Sequence, residues 1–290
     1  MAGIRIGKVP VTNLDRVLYP AVPATKKDVI GYYIRVAPLM LPFLEDRQLV
    51  MQRFPDGVDR PGFYEKDAPL GTPGWVKLFR HYSGTAEREL RYIVCNDLDT
   101  LVWLANLAAL EINIMLSRSD DPATPDLLLF DIDPEPPAGF LEATETSLLL
   151  AEVLEELGVR SFPKTSGKKG IHVVVPLQRL YSFEQTRQFV HAVGIILAKR
   201  SPLVVSELSQ TYDPGTVFVD YLQNTEGKTM ICPYSLRAAA SGTVSMPLSW
   251  KELRSGISPE DFTIMTASSR TGDPWKGFFD AAEKLPEAGR

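Results

Sequence analysis

Apolar and polar positions fall in blocks that predict interleaved helices and strands. Thr25-Lys26-Lys27-Asp28 has the form of a capping box, with a hydroxyl at the cap and a carboxylate three residues on. It predicts a helix that ends before Pro38. Residues 47–91 mix short apolar runs with Pro and Gly, as strands joined by loops do. The longest apolar stretch, Leu98 to Leu116, is broken by Asp99, Asn106, Glu111 and Asn113. It predicts a buried amphipathic helix, capped by Asp97 and running to about Ile114, and not a membrane span. Leu127–Asp131, bounded by Pro125 and Pro134, predicts a buried strand. Thr144–Leu157 predicts a helix stopped by Gly158. Val159–Lys164 and Ile171–Val175 predict two strands joined by Ser166-Gly167-Lys168-Lys169-Gly170. Ser182-Phe183-Glu184-Gln185 is a second capping box, opening a helix to about Arg200. Val217–Leu222 and Thr229–Cys232 predict a hairpin around Thr225-Glu226-Gly227-Lys228, and the Pro-rich end reads as loop. Strands and helices mixed with hairpins place the chain in the α+β class.

Composition narrows the function more than the fold. With 290 residues, 44% hydrophobic and 23% charged, the chain has a globular core, so disordered and fibrous classes are excluded. No internal repeat or low-complexity tract is present. The first residues lack a signal-peptide apolar region, and Cys95 and Cys232 form no CxxC. A reduced cytoplasmic setting without a thiolate zinc site is expected. The net charge of −5 weighs mildly against nucleic acid, but it is an average. Residues 1–91 carry 14 basic and 10 acidic side chains, residues 92–160 carry 2 and 14, and residues 161–290 carry 15 and 12. Most of the acidic block reads as a solvated helical surface. Acidic residues gathered at one strand end also bind divalent cations.

Four segments hold candidate chemistry. In Asp131-Ile132-Asp133-Pro134 the carboxylates share one face of an extended segment while Ile132 faces inward. They suit an Mg²⁺ or Mn²⁺ ion, although a solvated strand exit is the commoner use of this spacing. In Ser166-Gly167-Lys168-Lys169-Gly170-Ile171-His172 the glycines let backbone N–H groups approach an anion, Lys169 adds charge, and His172 opens the next strand. A polar hairpin with a half-buried histidine reads as well. Asp220 ends an apolar strand as a third carboxylate or as a turn residue, and Gln223, Asn224 and Arg237 follow as possible donors on the same hairpin. Asn13, Arg16, Lys26, Arg53, Phe63, Tyr64 and Lys66 combine cations with aromatics, which suits phosphate contact plus base stacking as well as it suits an ordinary surface over a core.

The order Leu-Phe-Asp-Ile-Asp-Pro, Thr-Ser-Gly-Lys-Lys-Gly-Ile-His, Val-Phe-Val-Asp-Tyr-Leu-Gln-Asn and Pro-Tyr-Ser-Leu-Arg resembles the polymerase domain of bacterial DNA ligase D, within the archaeo-eukaryotic primase superfamily. Val17-Leu18-Tyr19-Pro20 and Pro61-Gly62-Phe63-Tyr64-Glu65-Lys66 extend the likeness, from about residue 11 to 254. The resemblance implies a primase-polymerase fold of mixed and antiparallel sheets flanked by helices. It implies one catalytic domain over 1–290, with a DNA-end part to about 95, a core over about 96–254 and a tail over 255–290. No ligase or phosphoesterase pattern accompanies it, so a stand-alone member is expected. It implies a nucleotidyltransferase in which Asp131, Asp133 and Asp220 bind two Mn²⁺ or Mg²⁺ ions. Ser166, Lys169, Gly170, His172, Gln223, Arg237 and Asn113 would hold the incoming nucleoside triphosphate. Asn13, Arg16, Lys26 and Arg53 would receive a 5′-phosphate, with Phe63, Tyr64 and Lys66 at the template junction. The partners implied are gapped or broken duplex DNA bearing a 5′-phosphate, nucleoside triphosphates, a separate ATP-dependent ligase and the Ku end-binding protein. A bacterial, cytoplasmic, nucleoid-associated setting without membrane contact follows.

Four positions depart from the resemblance. Asn113 replaces a histidine, Gln52 a lysine, Asp213-Pro214 a basic loop, and Ala239 a second arginine. The carboxylates stay while positive charge is lost, so a less electropositive nucleotide and template track is expected. A primase starting chains without a primer, and a DNA-end-binding module that recruits a ligase, are the alternatives. An unrelated metal phosphohydrolase would share the paired aspartates but has no use for the glycine hairpin.

Overall fold

The computed structural model describes residues 4–83, 87–207 and 213–286. The chain divides into two compact, interleaved units. The first comprises residues 1–120, 231–245 and 262–271, and the second residues 121–230, 246–261 and 272–290. These boundaries differ from the linear ones near 95 and 254 that the sequence suggested. The α+β expectation holds, with helices beside antiparallel and mixed sheets. No helix among the described residues is long and apolar enough to cross a membrane. Both cysteines are buried and unbridged.

The first unit is built on helix α1, Lys26–Leu44, which the Thr25 hydroxyl caps through the Asp28 N–H as the sequence predicts. The helix does not stop before Pro38. It runs through Pro38 and Pro42, because Val36, Ala37, Met40, Phe43 and Leu44 continue its buried face. That burial outweighs hydrogen bonds lost at the prolines. Tyr33 on this face donates to the Leu110 carbonyl at 2.6 Å, and Tyr32 to that of Tyr234 at 2.8 Å.

The Leu98–Leu116 stretch is not one helix. Helix α2, Leu98–Asn106, is capped by Asp97. Ala108 then takes a left-handed conformation, φ 55°, and a strand runs over Ala109–Met115. A continuous apolar run reads alike as buried helix and buried strand, and the β-branched Ile112 and Ile114 favour the strand. This strand pairs antiparallel with Leu49–Arg53, which pairs with Phe63–Glu65. A separate ribbon joins Lys77–Ser83 to Arg88–Val94.

The second unit holds a five-stranded sheet in the order Phe162–Thr165, Ile171–Pro176, Leu127–Pro134, Val217–Asp220, Val204–Val205. All its pairings are antiparallel except the last. The central strand is longer than the Leu127–Asp131 expected. Its residues Leu128, Phe130 and Ile132 are buried on one face, where Phe130 meets Phe189 of helix α4, Phe183–Arg200. Ser182 caps α4 as predicted. Helix α3, Phe140–Glu156, starts earlier than Thr144 because Glu142 reaches back to the Gly139 N–H at 2.7 Å. Val217–Asp220 and Thr229–Ile231 do not form the expected hairpin. After Asp220 the chain enters a 3₁₀ turn, Tyr221–Asn224, and Thr229–Ile231 joins a different sheet.

Candidate active site

The sheet register assembles the carboxylates. Asp131 lies directly opposite His172 on one neighbouring strand and opposite Asp220 on the other. Lys164 lies opposite His172 one strand further out. Directly opposed residues project from the same face with side chains about 4.5–5.5 Å apart at Cβ. Lys164, His172, Asp131 and Asp220 therefore form a row across four strands, on the face turned away from α4. Asp133, two residues along from Asp131, joins them on that face.

The electrostatics are those of crowded anions. Burial and the Asp131 charge push the Asp133 carboxyl above its ordinary range, and Lys169 opposes the shift. Asp220 is raised by burial, with Asp131 adding to it against hydrogen bonds from Leu222 and Gln223. Each carboxylate leans on a nearby donor. Asp133 pairs with Lys169 at 3.3 Å, both side chains half exposed. Asp220 accepts from the Leu222 N–H at 2.8 Å and from Gln223 Nε2 at 3.2 Å. Asp131 lies 3.3 Å from His172 Nε2. With side chains so placed, no three carboxylate, imidazole or thiol groups among the described residues stand together as a ready ligand set. The donor chemistry still fits a hard divalent cation: three carboxylates from two adjacent strands, two of them raised by burial and by the charge of Asp131, supplying only oxygen.

The hairpin beside them is closed from within. Ser166 donates its N–H to the Gly170 carbonyl at 3.0 Å, and its Oγ accepts from the N–H groups of Gly170 at 3.2 Å and Lys168 at 3.3 Å. Gly167 is left-handed at φ 75°. A Cβ on Gly170 would stand 2.6 Å from the Ile132 carbonyl, so glycine is what lets the hairpin lie against the carboxylate strand. Lys169 Nζ also donates to the Pro134 carbonyl at 2.7 Å.

Other sequence candidates distribute differently. Asn224 is fully buried and spends its amide on the Leu129 backbone, at 2.9 Å from the N–H and 2.7 Å to the carbonyl. It clamps the turn after Asp220 and is no substrate donor. Arg237 does not share a hairpin with Gln223; it belongs to the first unit, where its Nε stands 3.5 Å from the buried Glu111 carboxylate. Asn113, also in the first unit, donates to the Val50 carbonyl at 3.2 Å.

The N-terminal candidates do converge. Asn13, Arg16, Lys26 and Arg53 line one cavity of about 170 Å³ with Thr12, Pro55 and Asn106. Lys26 is 6% exposed. Burial and then the charges of Arg16 and Arg53 lower its amine to about 8. Arg16 is braced by the Pro55 carbonyl at 2.6 Å and by Asp56 at 3.1 Å, and Arg53 by Glu65 at 2.9 Å. Phe63 pairs with Arg53 and lies under its guanidinium, 5.2 Å from ring centroid to Cζ. Tyr64 pairs instead with Gln52 and so projects from the opposite face. The two exposed aromatics thus project from opposite faces of the strand. Lys66 is exposed beyond them.

Sequence reasoning missed Lys164, fully buried with its Nζ 3.0 Å from His172 Nδ1, and Glu111, which holds Arg237. A lysine inside an apolar strand was the only local signal for the first.

The polymerase domain from Mycobacterium tuberculosis ligase D, solved in complex with DNA, matches with a TM-score of 0.84 at 32% identity, covering 95% of this chain and 99% of that one. The fold is thus that of a primase-polymerase. Residues 25–275 match the family described as LigD, primase-polymerase domain, and the chain belongs to that family. The bifunctional non-homologous end joining protein LigD of Bacillus subtilis is 36% identical over 277 residues, 94% of this chain and 44% of its own length. The multifunctional LigD of Pseudomonas aeruginosa is 31% identical over 308 residues, 100% of this chain and 34% of its own length. The chain therefore spans less than half the length of these relatives.

Proposed function

We propose that this chain is a DNA-repair nucleotidyltransferase that adds nucleotides, ribonucleotides in preference, to a primer 3′-hydroxyl at short gaps or breaks during end joining. The observation that carries this reading is the direct opposition of Asp131 and Asp220 across the sheet, with Asp133 on the same face beside the glycine hairpin. Asp131, Asp133 and Asp220 would hold two Mn²⁺ or Mg²⁺ ions, which neutralise triphosphate charge and favour the alkoxide form of the 3′-hydroxyl. Lys169 would exchange Asp133 for the triphosphate once that carboxylate has a metal partner. Lys169 and His172 would donate to phosphate oxygens, with the internally bonded hairpin holding Lys169 in place. Binding energy at these groups positions the α-phosphate, which is where a transfer of this kind gains most of its rate.

The cavity of Asn13, Arg16, Lys26 and Arg53 would receive the 5′-phosphate of the downstream strand. Three cations around a small cavity, one of them lowered by burial and then by the other two, suit an anion. Phe63 would stack at the template junction beside it. A relative solved in complex with DNA supports a DNA partner. A ligase and the Ku end-binding protein would complete the repair.

Nucleotide incorporation on a gapped, 5′-phosphorylated duplex with Mn²⁺ tests the reading. Wild-type protein extends the primer, and Asp131→Ala, Asp133→Ala and Asp220→Ala each abolish extension. Extension surviving in any of the three refutes the carboxylate assignment. Tight end binding by wild type without any extension supports the end-binding alternative instead.

A further inference from the structure

The strand Phe63–Glu65 has two faces, and the phosphate cavity uses only the one that carries Phe63 and Arg53. Tyr64 projects from the other face, 67% exposed and directly opposite Gln52, which is in turn directly opposite Glu111. Tyr64, Gln52 and Glu111 therefore form a row across three neighbouring strands of one sheet. Glu111 is engaged: it is buried, accepts from the Ala238 N–H at 2.9 Å and stands 3.5 Å from Arg237 Nε. Gln52 is not. Its carboxamide is half-buried and has no hydrogen-bond partner among the described residues, and neither has the Tyr64 hydroxyl. The ladder also slips beside it, because Gln52 faces Glu111 while Arg53 faces Ala109, leaving Leu110 as an extra residue. The Tyr33 hydroxyl pins this bulge through the Leu110 carbonyl at 2.6 Å. A bulge re-aims the side chains next to it.

We propose that Gln52 is a specificity-determining residue that reads adenine in a base pair stacked on Tyr64. This deepens the proposed function and rests on its gapped-DNA substrate. An exposed ring offers a base a face to stack on, and an unpaired amide beside it offers a donor and an acceptor to the edge of that base. A base within a pair has its Watson–Crick edge engaged, so the major-groove edge is what remains. There adenine presents the N7 acceptor next to the N6–H donor, which a carboxamide matches with its NH₂ and its C=O. Guanine presents two acceptors, O6 and N7, which suit a cation instead. Gln52 stands where the resemblance leads one to expect a lysine, so this chain exchanges a charge for a donor–acceptor pair. The base is that of a DNA strand bordering the gap or that of the incoming nucleotide; both show the same edge once paired.

The test reads binding and needs no catalysis. One arm measures fluorescence anisotropy of the full chain on gapped duplexes that differ only in the pairs bordering the gap. A second arm ends the primer with a dideoxynucleotide and titrates each nucleoside triphosphate opposite its complement with Mn²⁺. Adenine is expected to bind about 5- to 100-fold more tightly than the other three bases in one arm, and that arm assigns the source to the DNA strand or to the nucleotide. 7-Deazaadenine, which pairs normally but lacks the N7 acceptor, should lose the advantage on wild type, and Q52A should lose it with adenine itself. Y64A should weaken binding of all four bases alike, by about 5-fold or more. Equal affinity for the four bases in both arms overturns the proposal, and so does an adenine advantage that 7-deazaadenine keeps. Both are read on wild type, so they hold even if a variant fails to fold. An advantage that persists in Q52A also overturns it, moving the recognition to another residue. If wild type extends no primer, the proposed function fails, while base-dependent binding still decides the role of Gln52.

Discussion

Lys26 shows how far one side chain can be tuned by its surroundings. Its amine is lowered to about 8 by burial first and by Arg16 and Arg53 next. In the unfolded chain the amine titrates near its ordinary 10.5, so between the two values the unfolded state holds more protons and this group favours folding more as pH rises. That contribution is lost as pH falls through about 8, leaving a charged, crowded lysine at neutral pH. A bound phosphate dianion relieves the crowding and draws the proton back. Affinity for 5′-phosphorylated duplex is therefore expected to fall as pH rises past 8, and affinity for the unphosphorylated duplex is not. Fluorescence anisotropy on both duplexes from pH 6.5 to 9.5 checks this. Lys26→Ala should remove the difference between the two; an equal loss on both would take the phosphate away from this cavity.

At the scale of elements, the Ser166–Gly170 hairpin and the central strand act as one piece. The closest approach is that of Gly170 to the Ile132 carbonyl, in the middle of the Asp131–Asp133 pair. Gly170→Ala places a methyl group 2.6 Å from that oxygen, and backbone cannot step aside as a side-chain tip can. A cost of about 1–3 kcal/mol is expected, read as a lower denaturant midpoint. The hairpin should also lift from the carboxylates, raising KM for the nucleotide more than it alters duplex binding. Unchanged stability and KM together would show that the hairpin relaxes freely. Asn224 works on the other flank in the same way, holding the turn after Asp220 to Leu129.

For the molecule as a whole, charge decides. Asp133 and Asp220 have carboxyls raised by burial and by Asp131, so the folded protein holds protons there that the unfolded chain has released. Metal-free stability from these groups is complete at low pH and is lost as pH rises through their raised range. Mn²⁺ is expected to raise the melting temperature at neutral pH and to lose that effect on acidification. Chelation reverses it, and Asp133→Asn diminishes it; scanning calorimetry with and without the ion measures all three. DNA affinity carries the opposite charge logic. Asn113, Gln52, Asp213 and Ala239 stand where relatives were expected to hold cations. Each missing phosphate contact should flatten the log–log salt dependence of binding by about 0.7–0.9. A slope equal to that of a relative with cations at all four positions would refute the weakened track.

Local chemistry was legible in the order of residues. The caps at Thr25, Asp97 and Ser182, the paired aspartates on one strand face and the glycine hairpin each depend on neighbours a few residues apart, and each formed as read. The resemblance to ligase D polymerase domains was legible for the same reason, being carried by short motifs. What tertiary structure alone decided was everything set by distant partners. The apolar stretch from Leu98 breaks into helix and strand because Ala109–Met115 has Leu49–Arg53 to pair with, and period alone cannot report a partner. Phe63 and Tyr64 part to opposite faces because strand pairing imposes alternation on them. Lys164, His172, Asp131 and Asp220 come into one row because of register between four strands, a property of hydrogen bonds that no stretch of sequence contains by itself.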